Sequence, residues 1–529
     1  MLLMIPESAR SLIRSLEDPA VLGEEAAEAQ TLQTHMSWVL LAGPHAYKIK
    51  KPVDLGFADF SALERRRHFC REELRVNRRL APELYLGVVP IYGTPEAPTL
   101  DNHGKPIEYA VKMKRFPQDA LLGRVLQRDE LAVKHIDALV RQIADFHGRV
   151  EVDVDGRGFG TPEAVRKPME ANFEDFPDRA RDDRITAQFK RLRQWSRQQF
   201  QAREQDFASR KRDGFVRECH GDMHLGNMIL WNDSVSIFDA IEFNEDLRWI
   251  DVQSELAFLV MDLEDRGRAD FARRALNGYL EITGDYAGLA VMPYYLTYRA
   301  LVRAKVAGIR LGQKGIDDRK RQRLQDELCG YVRLADRYSS APSPKLIITH
   351  GVSGSGKTTG SERLVEALGA IRIRSDVERK RLFGLDPLVH TESELNEGLY
   401  SPQATRRCYG RLAELAERIL AAGFTVIVDA AFLARDQRTI FADAASRLEV
   451  PFLVLDFYVD EAILRNRISQ REATDADASE AGLAVLDHQL HSRQPLSDTE
   501  RRTSMRVNSA ERGWLATLTN AVQQWSAAG

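Results

Sequence analysis

Gly351-Val-Ser-Gly-Ser-Gly-Lys-Thr358 fits G-x-x-x-x-G-K-[ST] at every fixed position, and its surroundings suit a phosphate-binding loop. Before it runs Lys345-Leu-Ile-Ile-Thr-His350, a short apolar strand; after it, Thr358 to Leu368 carries Leu364 and Leu368 at helical spacing. The chemistry needs glycine at 351, 354 and 356, because backbone N–H groups must turn inward on the phosphates where a Cβ would intrude. Ser355 lies within the loop, Lys357 reaches the β/γ-phosphates, Thr358 offers its hydroxyl to Mg²⁺, and Thr359 follows on the helix. That helix turns its positive end towards the same anion.

The rest of the chain is too long for one core. Its 529 residues predict two or three domains. Composition is ordinary for a globular protein, 43% hydrophobic and 29% charged, and 75 basic against 78 acidic side chains leave a net charge of −3. Nothing in that balance asks for nucleic acid or a membrane. Cys70, Cys219, Cys329 and Cys408 are far apart and form no C-x-x-C pair, which argues against disulfides and zinc. With no signal-like start and no long apolar run, the expected location is the cytoplasm.

Taken in order, residues 1–26 read as a helical preface with Leu12, Ile13 and Leu16 on one face. From 27 to 338 a first domain is expected. It begins with Trp38-Val-Leu-Leu41, a turn at Gly43-Pro44 and Tyr47-Lys-Ile-Lys50, continues with a charged helix over 61–80, and adds strands at Val88–Ile91 and Ile107–Met113. Residues 121–338 are mostly helical, interrupted by a loop-rich block at His220–Asp239. Ser339-Ser-Ala-Pro-Ser-Pro-Lys345 is a Ser/Pro linker. In 346–529 strand and helix alternate, which implies a parallel sheet covered on both faces.

The loop-rich block carries a second chemistry. His220-Gly-Asp-Met-His-Leu-Gly-Asn227, followed by Ile237-Phe-Asp239, places an Asp and an Asn on one loop with another Asp at a strand end, as phosphoryl transfer from Mg-ATP requires. Asp222 would orient and deprotonate an acceptor hydroxyl; Asn227 and Asp239 would hold Mg²⁺. H-G-D-x-H-x-x-N with a downstream Asp resembles the aminoglycoside phosphotransferase and choline kinase branch of the bilobal protein-kinase-like fold. The resemblance implies that Lys48 pairs with phosphate, with Lys50 on the same strand face as the alternative, and that Glu73 is the helix partner. It also implies that Asp251 braces the catalytic loop. Two features depart from protein kinases: no G-x-G-x-x-G at the hairpin, and Ala240-Ile-Glu242 after Asp239. Arg299 and Arg303, one turn apart, read as a solvated or salt-bridged face before an acceptor site.

The back half supplies a further set. Arg374-Ser-Asp376 closes the second strand at the carboxyl edge where ligands bind open α/β sheets, so Asp376 can take a proton from an acceptor. Val426-Ile-Val-Asp429 is a strand ending in a Mg²⁺-handling aspartate. Arg465, Arg467 and Arg471 follow the last apolar strand as a candidate phosphate lid. Gly351–Thr358, Ser375-Asp376, Asp429-Ala-Ala-Phe432 and the Arg467–Arg471 lid followed by Asp477–Ala481 resemble the small P-loop kinases, a group spanning gluconate kinase, polynucleotide kinase and zeta-toxin-like kinases. Arg372, Arg374, Arg379, Lys380 and Arg381 form a basic cluster beside Asp376 that would suit an anion, with no aromatic platform for nucleic acid. The expectation is therefore an α+β kinase-like domain followed by an α/β P-loop domain. Both would use ATP and Mg²⁺ on hydroxyl groups of small, sugar-like acceptors. The alternatives are a P-loop half that regulates the front half, or a toxin or nucleic-acid-end kinase.

Overall fold

The computed structural model describes residues 5–23, 29–56, 58–101, 104–153, 156–174, 183–313, 315–386, 401–472 and 482–528. The chain packs as two compact units: Met1–Pro177 with Phe200–Asp262, and Asp178–Gln199 with Leu263–Gly529.

In the first unit six strands form one antiparallel sheet: β1 (Gln30–Gln33), β2 (Ser37–Ala42), β3 (His45–Lys50), β4 (Tyr85–Thr94), β5 (Ala97–Thr99) and β6 (Glu108–Lys114). Their spatial order is β1-β2-β3-β6-β4-β5. The expected hairpin is β2–β3, closed at Ala42↔His45 with Gly43 at φ 51°. Because side chains alternate along a strand, Tyr47 and Ile49 of β3 enter an apolar cluster with Trp38, Leu40 and Ile91. Lys48 and Lys50 then share the other face. The preface helix Glu7–Leu16 belongs to the same cluster through Leu12, Ile13 and Leu16. The charged helix Leu63–Asn77 buries Arg66, Cys70, Glu73, Val76 and Asn77, so its inner face is largely polar. Ion pairing therefore helps dock it: Arg66 Nε lies 2.9 Å from both carboxylate oxygens of Glu108 on β6.

Further on, β7 (Val216–Glu218) pairs with β10 (Trp249–Asp251), and β8 (Met228–Trp231) with β9 (Ser234–Ile237). Asn232 and Asp233 join β8 to β9 at φ 52° and 59°, the left-handed pair that a two-residue hairpin needs. This turn brings Asp239 back beside the loop that holds Asp222.

The second unit contains the parallel sheet: β11 (Leu346–His350), β12 (Ile371–Arg374), β13 (Val426–Asp429), β14 (Phe452–Tyr458) and β15 (Ser504–Asn508), in the order β12-β13-β11-β14-β15. Every residue of β11 and β13 is buried, as strands covered on both faces must be. Ile347, Leu364, Val365, Leu455 and Val522 form one apolar layer with the helices Lys357–Leu368 and Trp514–Ala528. β15 was not expected: Ser-Met-Arg-Val-Asn is short, and its only fully buried residue is Val507. The helices Ala269–Thr283, Met292–Leu311 and Asp318–Tyr338 also lie in this unit. Among the described residues no helix is long and apolar enough to cross a membrane.

Candidate functional site

In the first unit, two lysines, two glutamates and an aspartate converge beneath the sheet. Lys48 Nζ lies 2.7 Å from Glu73 and 2.5 Å from Asp239; Lys50 Nζ lies 2.8 Å from Glu73 and pairs with Glu242. Both lysines thus touch the helix glutamate. Only Lys48 reaches Asp239, and its side chain is 14% exposed against 1% for Lys50. Lys48 is the one at the open site, and Lys50 the one sealed behind it. Burial opposes charge on Glu73, yet Lys48 and Lys50 hold its carboxyl down at about 2. Glu242, part of the stretch that departs from Phe-Gly, has its carboxyl raised by burial and by the charge of Glu73.

The catalytic-type loop is held from several sides. Asn227 Nδ2 donates to the Asp222 carboxylate at 2.8 Å and to its carbonyl at 2.9 Å. Phe238 N–H donates to Asn227 O at 2.9 Å, and buried His220 bonds the Phe238 carbonyl through Nε2, also at 2.9 Å. These bonds tie the loop to the strand end that carries Asp239, whose φ is 64°. Gly221 sits at φ 89°, where a Cβ would come 2.6 Å from Leu247 O. The Asp222 side chain remains 38% exposed and that of Asp239 44%, so both carboxylates are open to a ligand.

The brace expected from Asp251 comes from elsewhere. Asp251 takes the Arg210 guanidinium at 2.6 and 2.8 Å. The fully buried Glu255, one turn further on, accepts the backbone N–H of His220 at 2.7 Å and of Gly221 at 2.6 Å. Asp262, on the same helix (Val252–Asp265), accepts Leu225 N–H at 2.9 Å. Two acidic residues in the apolar run Leu256–Leu263 and its approach were the available signal, since charges in such a helix are buried only with partners. His147, Cys219 and Glu255 have donor atoms within 4.8 Å of one another. His147 Nε2 lies 2.8 Å from Glu255, whose other oxygen takes two amides, so this cluster is a hydrogen-bonded brace.

In the second unit, Gly351, Gly354 and Gly356 have φ of 142°, 81° and 92°. A Cβ on Gly351 would fall 2.5 Å from Phe457 O, and one on Gly356 2.8 Å from Ser509, so the cradle admits only glycine at these points. Ser355 is buried, with no hydrogen-bond partner for its hydroxyl. Lys357 Nζ donates to Val352 O at 2.8 Å, folded across the loop. Thr358 is half-buried on the first turn of its helix and Thr359 is exposed. Asp429 ends β13 opposite Arg374 and accepts the Ser361 hydroxyl at 2.9 Å. Asp376, on the helix Ser375–Leu382, leaves the neighbouring strand two residues beyond that register.

Of the lid arginines, Arg467 donates to Gly354 O at 3.0 Å and to Ser509 at 2.8 and 2.9 Å, clamping the loop after β15 onto the phosphate loop. Ser509 in turn donates to Ser355 O at 2.7 Å. Arg465 pairs with Glu461 and Asp487. The side chain of Arg471 and the segment Asp477–Ala481 lie outside the described residues. Gln489 accepts the Ser353 N–H at 2.7 Å, a contact that no motif announces. The basic cluster is not a free anion site: Arg372 and Arg374 each lie 3.1 Å from Glu281, Arg381 pairs with Glu378, and Arg379 and Lys380 are buried. Arg299 is buried as well, and Arg303 is half-buried and lies over the Tyr331 ring, so of the two faces expected, solvated or salt-bridged, Arg299 does not form the solvated one.

A lysine–glutamate pair beside an Asp/Asn loop, and a phosphate loop at the carboxyl edge of a parallel sheet, define a two-domain phosphotransferase. Residues 60–292 match the model of the phosphotransferase enzyme family and residues 346–496 that of an AAA domain. The chain carries a phosphotransferase-family domain followed by a P-loop, kinase-like domain, and it is a kinase-class enzyme. An uncharacterized protein of Mycobacterium tuberculosis (strain H37Rv) is 28% identical over 472 residues, 89% of this chain and 91% of its own, so both domains and their order are shared. Among solved structures, a choline/ethanolamine kinase family protein from Mesorhizobium loti is 12% identical, covering 62% of this chain and 98% of its own at a TM-score of 0.36. A gluconokinase from Sinorhizobium meliloti is 20% identical, covering 35% and 99% at a TM-score of 0.24.

Proposed function

We propose that the chain carries two Mg-ATP-dependent kinase centres acting on hydroxyl groups of small, sugar-like acceptors in the cytoplasm. The observation that carries the reading is the convergence of Lys48, Glu73 and Asp239 within 2.7 Å contacts, next to a loop on which Asn227 bonds Asp222. Mg-ATP would supply the transferable phosphoryl group and the charge that stabilises its displacement.

In the front centre Lys48 would hold phosphate oxygens, with Glu73 fixing its ammonium. Asn227 and Asp239 would hold the metal. Asp222 accepts the proton of the acceptor hydroxyl, and its open carboxylate, steadied by Asn227, is suited to that work. In the back centre the amides of Gly354 to Thr358, together with Lys357 and Thr359, would cradle phosphates. Thr358 and Asp429 would serve the metal, and Arg467 and Arg471 would close the nucleotide side. Asp376 would take the acceptor proton. Neutralisation of Arg372 and Arg374 by Glu281 favours an uncharged acceptor region over an anionic one.

Label transfer from γ-labelled ATP into a small-molecule extract tests this, comparing wild type with Asp222→Ala and Lys357→Ala. Each variant is expected to lose a different labelled product. If Lys357→Ala removes no product of its own, the two-kinase reading fails.

A further inference from the structure

The helix Ala269–Thr283 lies inside the segment that matches the phosphotransferase family, yet it packs on the P-loop helix and on β12. Its contacts form a stripe at i, i+4 and i+8, one helical face. Arg273 donates to the carbonyls of Glu366 and Ala367 at 2.7 and 2.9 Å, satisfying the exposed C-terminal end of the P-loop helix. Arg274 lies 2.6 Å from Glu362 and 3.1 Å from Glu366 on that helix.

One turn on, Asn277 meets the open edge of the sheet. Among the described residues β12 is an end strand. The Asn277 amide donates to Ala370 O at 3.0 Å and accepts Arg372 N–H at 2.8 Å, which is the pairing a further strand would make. Asn277 is 7% exposed, so water cannot replace it there. After another turn, Glu281 spans Arg372 and Arg374, and its carbonyl accepts Arg381 at 2.6 Å. Burial works against the Glu281 charge, but Arg372 and Arg374 keep it below the ordinary carboxylate value. The elements gripped are the helix that follows the phosphate loop, β12, and the helix Ser375–Leu382 that carries Asp376.

We propose that Asn277 and Glu281 are positioning residues of the P-loop centre: a helix of the phosphotransferase segment sets edge strand β12, and with it Asp376, against the phosphate loop. This rests on the reading of Asp376 and Lys357 as a kinase centre. It means that the P-loop half is catalytically complete only with residues that precede the Ser/Pro linker. It also gives a physical reason for the two domains to remain fused.

The test uses the full chain carrying Asp222→Ala, so that phosphate released from Mg-ATP and abolished by Lys357→Ala reports the back centre. Asn277→Ala and Glu281→Gln are each expected to lower that turnover about tenfold or more, as misplaced catalytic groups do. Affinity for a fluorescent ADP analogue should change by less than about threefold, since the phosphate loop keeps its own amides. Glu281→Asp should recover most of the loss, which a merely structural role would not require. Turnover within about twofold of wild type in both Asn277→Ala and Glu281→Gln overturns the proposal. If Asn277→Ala does not fold, the contrast between Glu281→Gln and Glu281→Asp decides. If the parent chain shows no Lys357-dependent turnover, the kinase reading of this half fails on its own. Hydrogen exchange of amides 371–376 then decides the positioning claim: faster exchange in Asn277→Ala supports it, and unchanged exchange overturns it.

Discussion

Replacing Lys50 by methionine separates the two lysines of β3 by their consequences. The change removes the cation that Glu242 faces while leaving Glu73 its contact with Lys48 at 2.7 Å. Glu242 is 6% exposed, so it must either stay charged with only Lys48 left to oppose it or take up a proton. Protonation is the cheaper route and bounds the cost. At about 1.36 kcal/mol per pH unit, holding a carboxyl of ordinary pKa 4.5 protonated costs about 4 kcal/mol at pH 7.5 and about 1.4 kcal/mol at pH 5.5. The sign follows from a folded-state pKa raised above the unfolded one: the penalty is absent below about pH 4.5 and grows as pH rises. For a unit of this size, 4 kcal/mol corresponds to a drop in melting temperature of roughly 8–16 °C. Scanning calorimetry of the full chain at both pH values, for Lys50→Met and for Lys50→Met/Glu242→Gln, measures it. The double variant should recover most of the loss at pH 7.5. Lys48→Met should melt closer to wild type but lose front-centre turnover. Equal destabilisation at the two pH values, or turnover lost with Lys50 and kept without Lys48, would refute the assignment.

Other outcomes follow from single contacts. Glu255→Gln keeps one acceptor oxygen for the His220 and Gly221 amides but removes the charge facing His147. Front-centre kcat should fall by about tenfold or more with the KM for ATP nearly unchanged, and initial-rate kinetics separate the two. Gly356→Ala forces a Cβ to 2.8 Å from Ser509 at φ 92°, so nucleotide binding to the second unit should be lost in a fluorescence titration while the first unit melts normally. Burial works against charge on Glu218, but Arg75, Arg79 and Arg248 hold its carboxyl at about 2 against an ordinary 4.5. Its contribution is present above about pH 4.5 and lost as pH falls towards 2, so acid unfolding monitored by circular dichroism should begin at higher pH in Glu218→Gln.

What the sequence made legible is local in the chain. The strand, glycine loop and helix at 346–368 are contiguous, so spacing alone predicts them, and the β2–β3 hairpin follows from alternation around Gly43-Pro44. What it hid depends on partners far away. Glu281 meets Arg372 and Arg374 across more than ninety positions, and nothing near Arg374 says that its charge is taken. The loop brace fell to Glu255 in place of Asp251 because both lie near one helix start, and only the fold decides which carboxylate faces the loop. β15 escaped because pairing with a buried neighbour on one side lets an edge strand carry Ser504, Arg506 and Asn508. Lys48 and Lys50 alternate onto one face by pleat alone, and depth distinguishes them only in three dimensions.

The segment after Asp239 has a mechanical consequence of its own. In protein kinases an aromatic residue follows the metal-binding aspartate, and its packing sets the active or inactive state. Here Ala240 stands in that place, with a methyl group and no ring to repack. Its N–H donates to Asn77 Oδ1 at 2.8 Å, Asp239 N–H donates to the Tyr85 hydroxyl at 3.1 Å, and Glu242 is paired with Lys50. The stretch is therefore tied to the C-terminal end of the helix Leu63–Asn77, to β4 and to β3 at once. Swinging that helix outward would break the Asn77 bond and both lysine contacts of Glu73 together, exposing a carboxylate held near 2 by those lysines. Such a move would cost the Asn77 bond and both Glu73 ion pairs, so the front centre is expected to stay assembled in the free protein. Its turnover should start without a lag on mixing with Mg-ATP, and amides 239–242 should exchange equally slowly with and without nucleotide. A burst of exchange in the free protein that nucleotide suppresses would show that the lock opens.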